Sequence, residues 1–155
     1  MTLAASVSIA CAGFLLAVLW IDLMFDVQVA AHEGAELPEP VLASIAAYYA
    51  RVTTQAAPMG RAIAVAMLAL LGAVAYPIVA GGARWHAWVS LALCVVPVGL
   101  ARVRIVPNAA RLGRRVDDVA GQSALARAIH RDHWLCLAAL LAFLALRLVV
   151  GAAEL

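Results

Sequence analysis

The sequence predicts an all-α integral membrane protein, a four-helix bundle running up-down-up-down with almost no soluble part. Composition, run length and polarity pattern carry that prediction. Hydrophobic residues make up 66% of the 155-residue chain and charged residues 13%, against ~45–50% and ~25% in an average soluble domain. A soluble chain of this size could not hide so much apolar surface in one core. The apolar residues fall into four runs, each near the ~20 residues that cross a hydrocarbon layer ~30 Å thick. Lipid leaves open backbone groups unsatisfied, and the ~10-residue alternating strands of a barrel are missing, so the spans are helices.

The first span covers residues 3–27. It begins apolar with no basic leader, and Ser8-Ile9-Ala10 before Cys11 is a poor lipoprotein cleavage site, so it is read as retained. A long connection follows with His32, Glu33, Glu36, Pro38, Glu39 and Pro40. Val41, Leu42, Ile45, Tyr49 and Val52 then recur near helical spacing, which predicts a short amphipathic helix on the membrane surface or an extension of the second span. That span covers residues 60–81. Gly81-Gly82-Ala83-Arg84 makes a tight turn into the third span, residues 85–106, so the two are antiparallel neighbours. Pro77 and Pro97 are candidate breaks within them. Pro107-Asn108 is expected to end the third helix, ahead of a polar segment with Arg111, Arg114, Arg115, Asp117 and Asp118. The helical pattern resumes at Gln122, well before the fourth span at residues 133–151. No repeat divides the chain, which reads as one domain.

All eleven basic residues are Arg, and the net charge is only +2. No basic run is interleaved with aromatics, so no nucleic acid is expected, nor any nucleotide cofactor. The Arg residues read as topology signals. Arg51, Arg61, Arg102, Arg104, Arg111, Arg114, Arg115, Arg127 and Arg131 lie on the side of the two long connections, and Arg84 and Arg147 on the other. That asymmetry places the long connections in the cytoplasm and both termini on the outer side. Trp20, Trp85, Trp88 and Trp134 fall near span ends, as interfacial aromatics do. Cys11, Cys94 and Cys136 sit in apolar runs without a CxxC pair and read as small apolar side chains.

Alternating helix direction brings polar residues from distant parts of the chain to the cytoplasmic end. Asp22 and Asp26 close the first span one helical turn apart, Arg102, Arg104 and Asn108 end the third, and His130, Asp132 and His133 begin the fourth. Ionisable groups below the headgroups are costly and take a partner. Asp22, Asp26, His130 and His133 would suit a non-haem iron, copper, manganese or zinc ion, hard oxygens with imidazoles, or would act without metal as general bases. The plainer reading is helix-packing glue, with Asp22 and Asp26 bridged to Arg102 and Arg104, and His130 and His133 solvated at an interface. His86 reads as a surface residue beside Trp85. Haem is not expected, since only the fourth helix offers His at depth.

These residues resemble the anthrone-oxygenase-like group of small four-helix membrane proteins. The likeness rests on Ile21-Asp22-Leu23-Met24-Phe25-Asp26, on Tyr48-Tyr49 and Pro58-Met59-Gly60, on Arg104-Ile105-Val106-Pro107-Asn108, and on His130-Arg131-Asp132-His133-Trp134, spread over nearly the whole chain. The group's fungal members are associated with oxidising anthrones to anthraquinones with molecular oxygen. The resemblance implies an active site at the cytoplasmic end, with Asn108 matching the Pro-Asn element and His130 and His133 the start of the fourth helix. The Arg expected within that helix has no counterpart, Arg147 lying too far along.

The expectation is therefore a membrane oxidoreductase acting on a hydrophobic aromatic or quinone-like molecule that reaches the site from lipid. Arg102 and Arg104 would stabilise a developing oxyanion, with Asn108 beside them. A small proton-coupled transporter titrating at Asp22 and Asp26 is the alternative, and a structural or assembly subunit with close-packed Ala-rich helices a third. A homo-oligomer is compatible with each.

Overall fold

A computed structural model describes residues 2–55, 57–82 and 84–153. Six helices follow one another: α1 (Leu3–Asp26), α2 (Glu39–Ala50), α3 (Ala57–Val79), α4 (Trp85–Leu100), α5 (Val106–Arg114) and α6 (Val119–Ala153). A 3₁₀ turn, Val27–Ala31, extends α1, and five-residue π turns, Arg51–Gln55 and Ala101–Ile105, join α2 to α3 and α4 to α5. Among the described residues there is no strand.

Four segments are long and apolar enough to cross a membrane: Leu3–Ala31, Pro58–Val79, Trp85–Arg114 and Val119–Gly151. They make this a multi-pass integral membrane protein. The spans form a ring in which α1 and α4 each lie against both α3 and α6. The seam is filled by Ala12, Leu15, Leu19 and Leu23 of α1, Leu70 and Val74 of α3, Cys94 of α4, and Cys136, Leu140 and Phe143 of α6. The outer faces are also apolar. Val65, Leu68, Tyr76 and Val79 on α3 are all largely exposed, which suits lipid and would be costly in water.

Chain direction follows from named contacts. Arg104, after α4, meets Asp132, while Cys136 further along α6 donates to the carbonyl of Pro97 back on α4 at 3.9 Å. These two helices are therefore antiparallel. Helices α3 and α4 turn at Gly81, whose φ of +77° is one that glycine adopts without strain. Ala83 of the expected turn lies outside the described residues.

Three expectations change. Pro77 and Pro97 sit inside continuous helices and break neither. The third helix does not end at Pro107-Asn108 but runs on to Arg114. Pro107 falls in the first turn of α5, directly after the π turn Ala101–Ile105, and the chain stays helical through it. The segment after residue 39 is a helix of its own, and its apolar face meets protein: Leu42, Ile45, Ala46 and Tyr49 are buried. Helix α6, at 35 residues, would span about 52 Å, more than a hydrocarbon layer of ~30 Å requires, and it begins at Val119, a few residues before the Gln122 expected from sequence.

Helix α2 caps the polar end of the ring by lying on α5. A Cβ at Gly113 would stand 2.6 Å from the Ala50 nitrogen and 2.9 Å from the Tyr49 carbonyl carbon, and backbone cannot yield as a side chain can. Gly113→Ala is expected to lower stability by about 1–3 kcal/mol, the usual cost of overpacking. Gly99→Ala, which meets nothing within 4 Å, serves as the control in thermal unfolding.

The connection before α2 is strapped to α6. Ser123 accepts from the Leu37 N–H at 2.9 Å, and Arg127 donates to the carbonyls of His32 and Gly34. Arg115, at the left-handed end of α5, grips Glu39 with two bonds of 2.7 Å. These ties fix α2 against the end of α1.

Candidate functional site

The last turns of α1 carry Asp22 and Asp26 on one side, and both meet side chains from α2 and α6. Asp26 is fully buried. Its Oδ1 accepts from the Tyr49 hydroxyl at 2.7 Å, and its Oδ2 lies 2.6 Å from His133 Nδ1. Asp22 accepts from the Tyr48 hydroxyl through Oδ1 at 2.5 Å, and its Oδ2 stands 4.0 Å from His133 Nε2. One buried imidazole is thus bracketed by two carboxylates, each capped by a tyrosine. The Tyr48 ring stacks on Phe25, centroids 4.0 Å apart, and meets Tyr49 edge-on, so the caps are held in place.

The proton arrangement follows from donor chemistry. An ionised carboxylate only accepts, so the close Asp26 contact places a proton on Nδ1, and no hydrogen bond engages Nε2 among the described residues. At 4.0 Å, Asp22 is too far for a direct bond to Nε2. A buried histidine oriented by a carboxylate on one nitrogen and open on the other is the arrangement of a general base.

Both tyrosine hydroxyls are held in the neutral form. Burial, then the hydrogen bond to Asp22, pushes Tyr48 above its usual value. Burial, then the charge of Asp26, pushes Tyr49 well above its own. A group whose pKa is raised by folding adds stability below its unfolded pKa and loses it as pH climbs toward the folded one. Tyrosinate absorbance from Tyr48 and Tyr49 is therefore expected to be missing at pH ~10, where free tyrosine half-ionises, and to appear at higher pH together with loss of helix. The difference between wild type and a Tyr48→Phe, Tyr49→Phe double variant isolates their signal.

Of the residues anticipated from sequence, Asp22, Asp26 and His133 converge. His130 does not: its Nε2 accepts from the Trp134 indole N–H at 3.0 Å. The inner seam of α6 runs through Ala126, Ile129, Asp132, His133 and Cys136, and His130 falls beside it. Arg104 is paired, but with Asp132 at 3.1 Å rather than with Asp22 or Asp26, and Arg131 approaches the same carboxylate at 3.5 Å. Arg102 is exposed and forms no ion pair among the described residues. The bridge from Asp22 and Asp26 to Arg102 and Arg104 is replaced by the two tyrosines, because α2 folds over the end of α1. Asn108 makes no side-chain hydrogen bond among the described residues. His32 bonds the Gln28 carbonyl within its own turn at 3.2 Å, and Glu33 is exposed. Tyr48 and Tyr49 are the additions, and Asp132, already placed at this end by sequence, takes the Arg104 contact. Adjacent tyrosines in an otherwise aliphatic amphipathic segment were the available signal.

Among the described residues no three His, Cys, Asp or Glu side chains are placed to hold a metal ion. Both Asp26 oxygens and His133 Nδ1 are engaged. Nε2 and one oxygen of Asp22 remain, short of the three protein ligands usual in a catalytic zinc site. The donor set does not fit a resident metal.

An open apolar groove of about 200 Å³ is lined by Trp20, Leu23, Met24, Val27 and Trp134; none of Asp22, Asp26, Tyr48, Tyr49 and His133 is among its lining residues. Its residues interleave with Asp22 and Asp26 on α1 and adjoin His133 on α6. Leu23, one of the lining residues, is 7% exposed. Compared with known proteins, the chain matches no family model, no curated protein and no solved structure.

Proposed function

We propose that the chain is a membrane-embedded oxidoreductase of the oxygenase kind, in which His133 is the general base toward a hydrophobic, weakly acidic aromatic or quinone-like substrate. The observation that carries this reading is the buried Asp26–His133 contact with Nε2 left open beside Asp22. The substrate enters from lipid along the groove of Trp20, Leu23 and Trp134. Nε2 takes a proton from a carbon acidified by flanking rings, and Asp26 stabilises the imidazolium that forms. The carbanion reduces molecular oxygen directly. A carbon-bound hydroperoxide then loses water, so a methylene and oxygen become a carbonyl and water. Arg104, tied to Asp132 next to His133, supplies positive charge at the level of the site.

The resemblance noted in the sequence supports the substrate class, and the donor set favours a reaction without metal. The excess of Arg beside the long connections supports a site on the cytoplasmic side with the termini outside. Purified protein given an anthrone in aerated detergent is expected to consume equimolar oxygen as the anthraquinone absorbance appears, unaffected by a metal chelator. No turnover of any anthrone or hydroquinone, with proton-coupled solute flux that Asp22→Asn abolishes in proteoliposomes, would replace this reading with the transporter.

A further inference from the structure

The end of the bundle away from Asp26 and His133 carries a second set of polar atoms. His86 and Ser90 lie one turn apart on α4, with Cys94 one turn further on. Counting from the Cys136–Pro97 contact, eleven positions on along α6 reaches Arg147 and eleven back along α4 reaches His86, so the two stand at one level of an antiparallel pair. Both ring nitrogens of His86, the Ser90 hydroxyl and Arg147 Nε are all buried without a hydrogen-bond partner. Ser90 is only 2% exposed. His86, expected at the surface, is half-buried.

Buried polar groups are almost always satisfied, and Arg147 has no acidic partner among the described residues. Four such atoms on two facing helices therefore point to a ligand. Guanidinium, hydroxyl and imidazole offer donors in excess of acceptors, and a guanidinium matches the geometry of an oxyanion. Trp85 and Trp88, both largely exposed, flank the set in the first turn of α4, and interfacial Trp side chains sit at headgroup depth. The oxyanion abundant at that depth is phosphate.

We propose that His86, Ser90 and Arg147 bind a phosphate group, that of a phospholipid headgroup, with its acyl chains against the exposed apolar faces. This site is independent of the acid–base site. The test is thermal unfolding of the full chain in dodecyl maltoside, titrated with phosphatidylglycerol, with diacylglycerol of the same chains and with inorganic phosphate. Phosphatidylglycerol is expected to raise Tm in a saturable way and diacylglycerol to leave it unchanged. Arg147→Gln and Ser90→Ala should each weaken the apparent affinity roughly tenfold or more, the effect of losing a hydrogen bond to a charged group. Arg61→Gln, an exposed cation on a different helix, should not. If Arg147→Gln fails to fold, His86→Leu and Ser90→Ala give the same reading. Inorganic phosphate reproducing the full shift would support the phosphate site while assigning it to a soluble source. Equal binding by wild type, Ser90→Ala and His86→Leu, or equal stabilisation by diacylglycerol, would overturn the proposal.

Discussion

Asp26→Asn is expected to leave the bundle folded and to slow substrate oxidation by about 10³–10⁴-fold, the scale of loss when the carboxylate behind a catalytic histidine becomes an amide. The amide carbonyl can still accept from the Tyr49 hydroxyl, now bonded to Asp26 at 2.7 Å. The amide nitrogen then faces His133 Nδ1 and must donate to it. Nδ1 becomes an acceptor, the ring proton moves to Nε2, and the atom proposed to take the substrate proton already carries one. Shape, volume and helix content stay as they were. Oxygen uptake measured beside circular dichroism separates the two effects. A rate within a few-fold of wild type in a folded Asp26→Asn protein would mean that Asp26 does not orient the base.

The second large effect is on stability. His133→Leu removes the partner of a fully buried carboxylate and leaves Asp26 with one tyrosine, which is expected to cost about 3–5 kcal/mol. Asp26→Leu alone strands the imidazole and the Tyr49 hydroxyl, with a cost on the order of 1–3 kcal/mol. The Asp26→Leu, His133→Leu double variant removes both halves of the pair, and the stranded charge with them. It should recover much of the single-variant losses, as contacting residues do in a double-mutant cycle. Unfolding in detergent across the four proteins gives the coupling. Simple additivity would mean that Asp26 and His133 are not energetically paired, whatever their distance.

The fold was legible from solvent alone. Four apolar runs, two glycines at one turn and a long amphipathic connection leave few arrangements for lipid-facing helices, and all four spans formed. What sequence could not place was the direction of each polar side chain around its helix. His130 and His133 are three residues apart and either would serve at that spacing; the packing seam through Ile129 and Cys136 selects His133 and turns His130 to Trp134. The tyrosines were hidden for a related reason. Tyr49 kept the apolar period of α2, so its hydroxyl gave no periodic signal, and only the docking of α2 over the end of α1 reveals that Asp22 and Asp26 are capped by phenols instead of guanidiniums. Arg104 could not be assigned to Asp132 because the π turn at Ala101–Ile105 shifts its register by an amount that no hydrophobic pattern records.

Nitrogen-15 spectra of histidine-labelled protein in detergent, with His133 assigned by its loss in His133→Gln, address the bracketed imidazole directly. The expected spectrum places a proton on Nδ1, with a hydrogen-bonded shift that disappears in Asp26→Leu. A proton on Nε2 with Nδ1 bare, or a ring exchanging with solvent as freely as His32, would contradict the account.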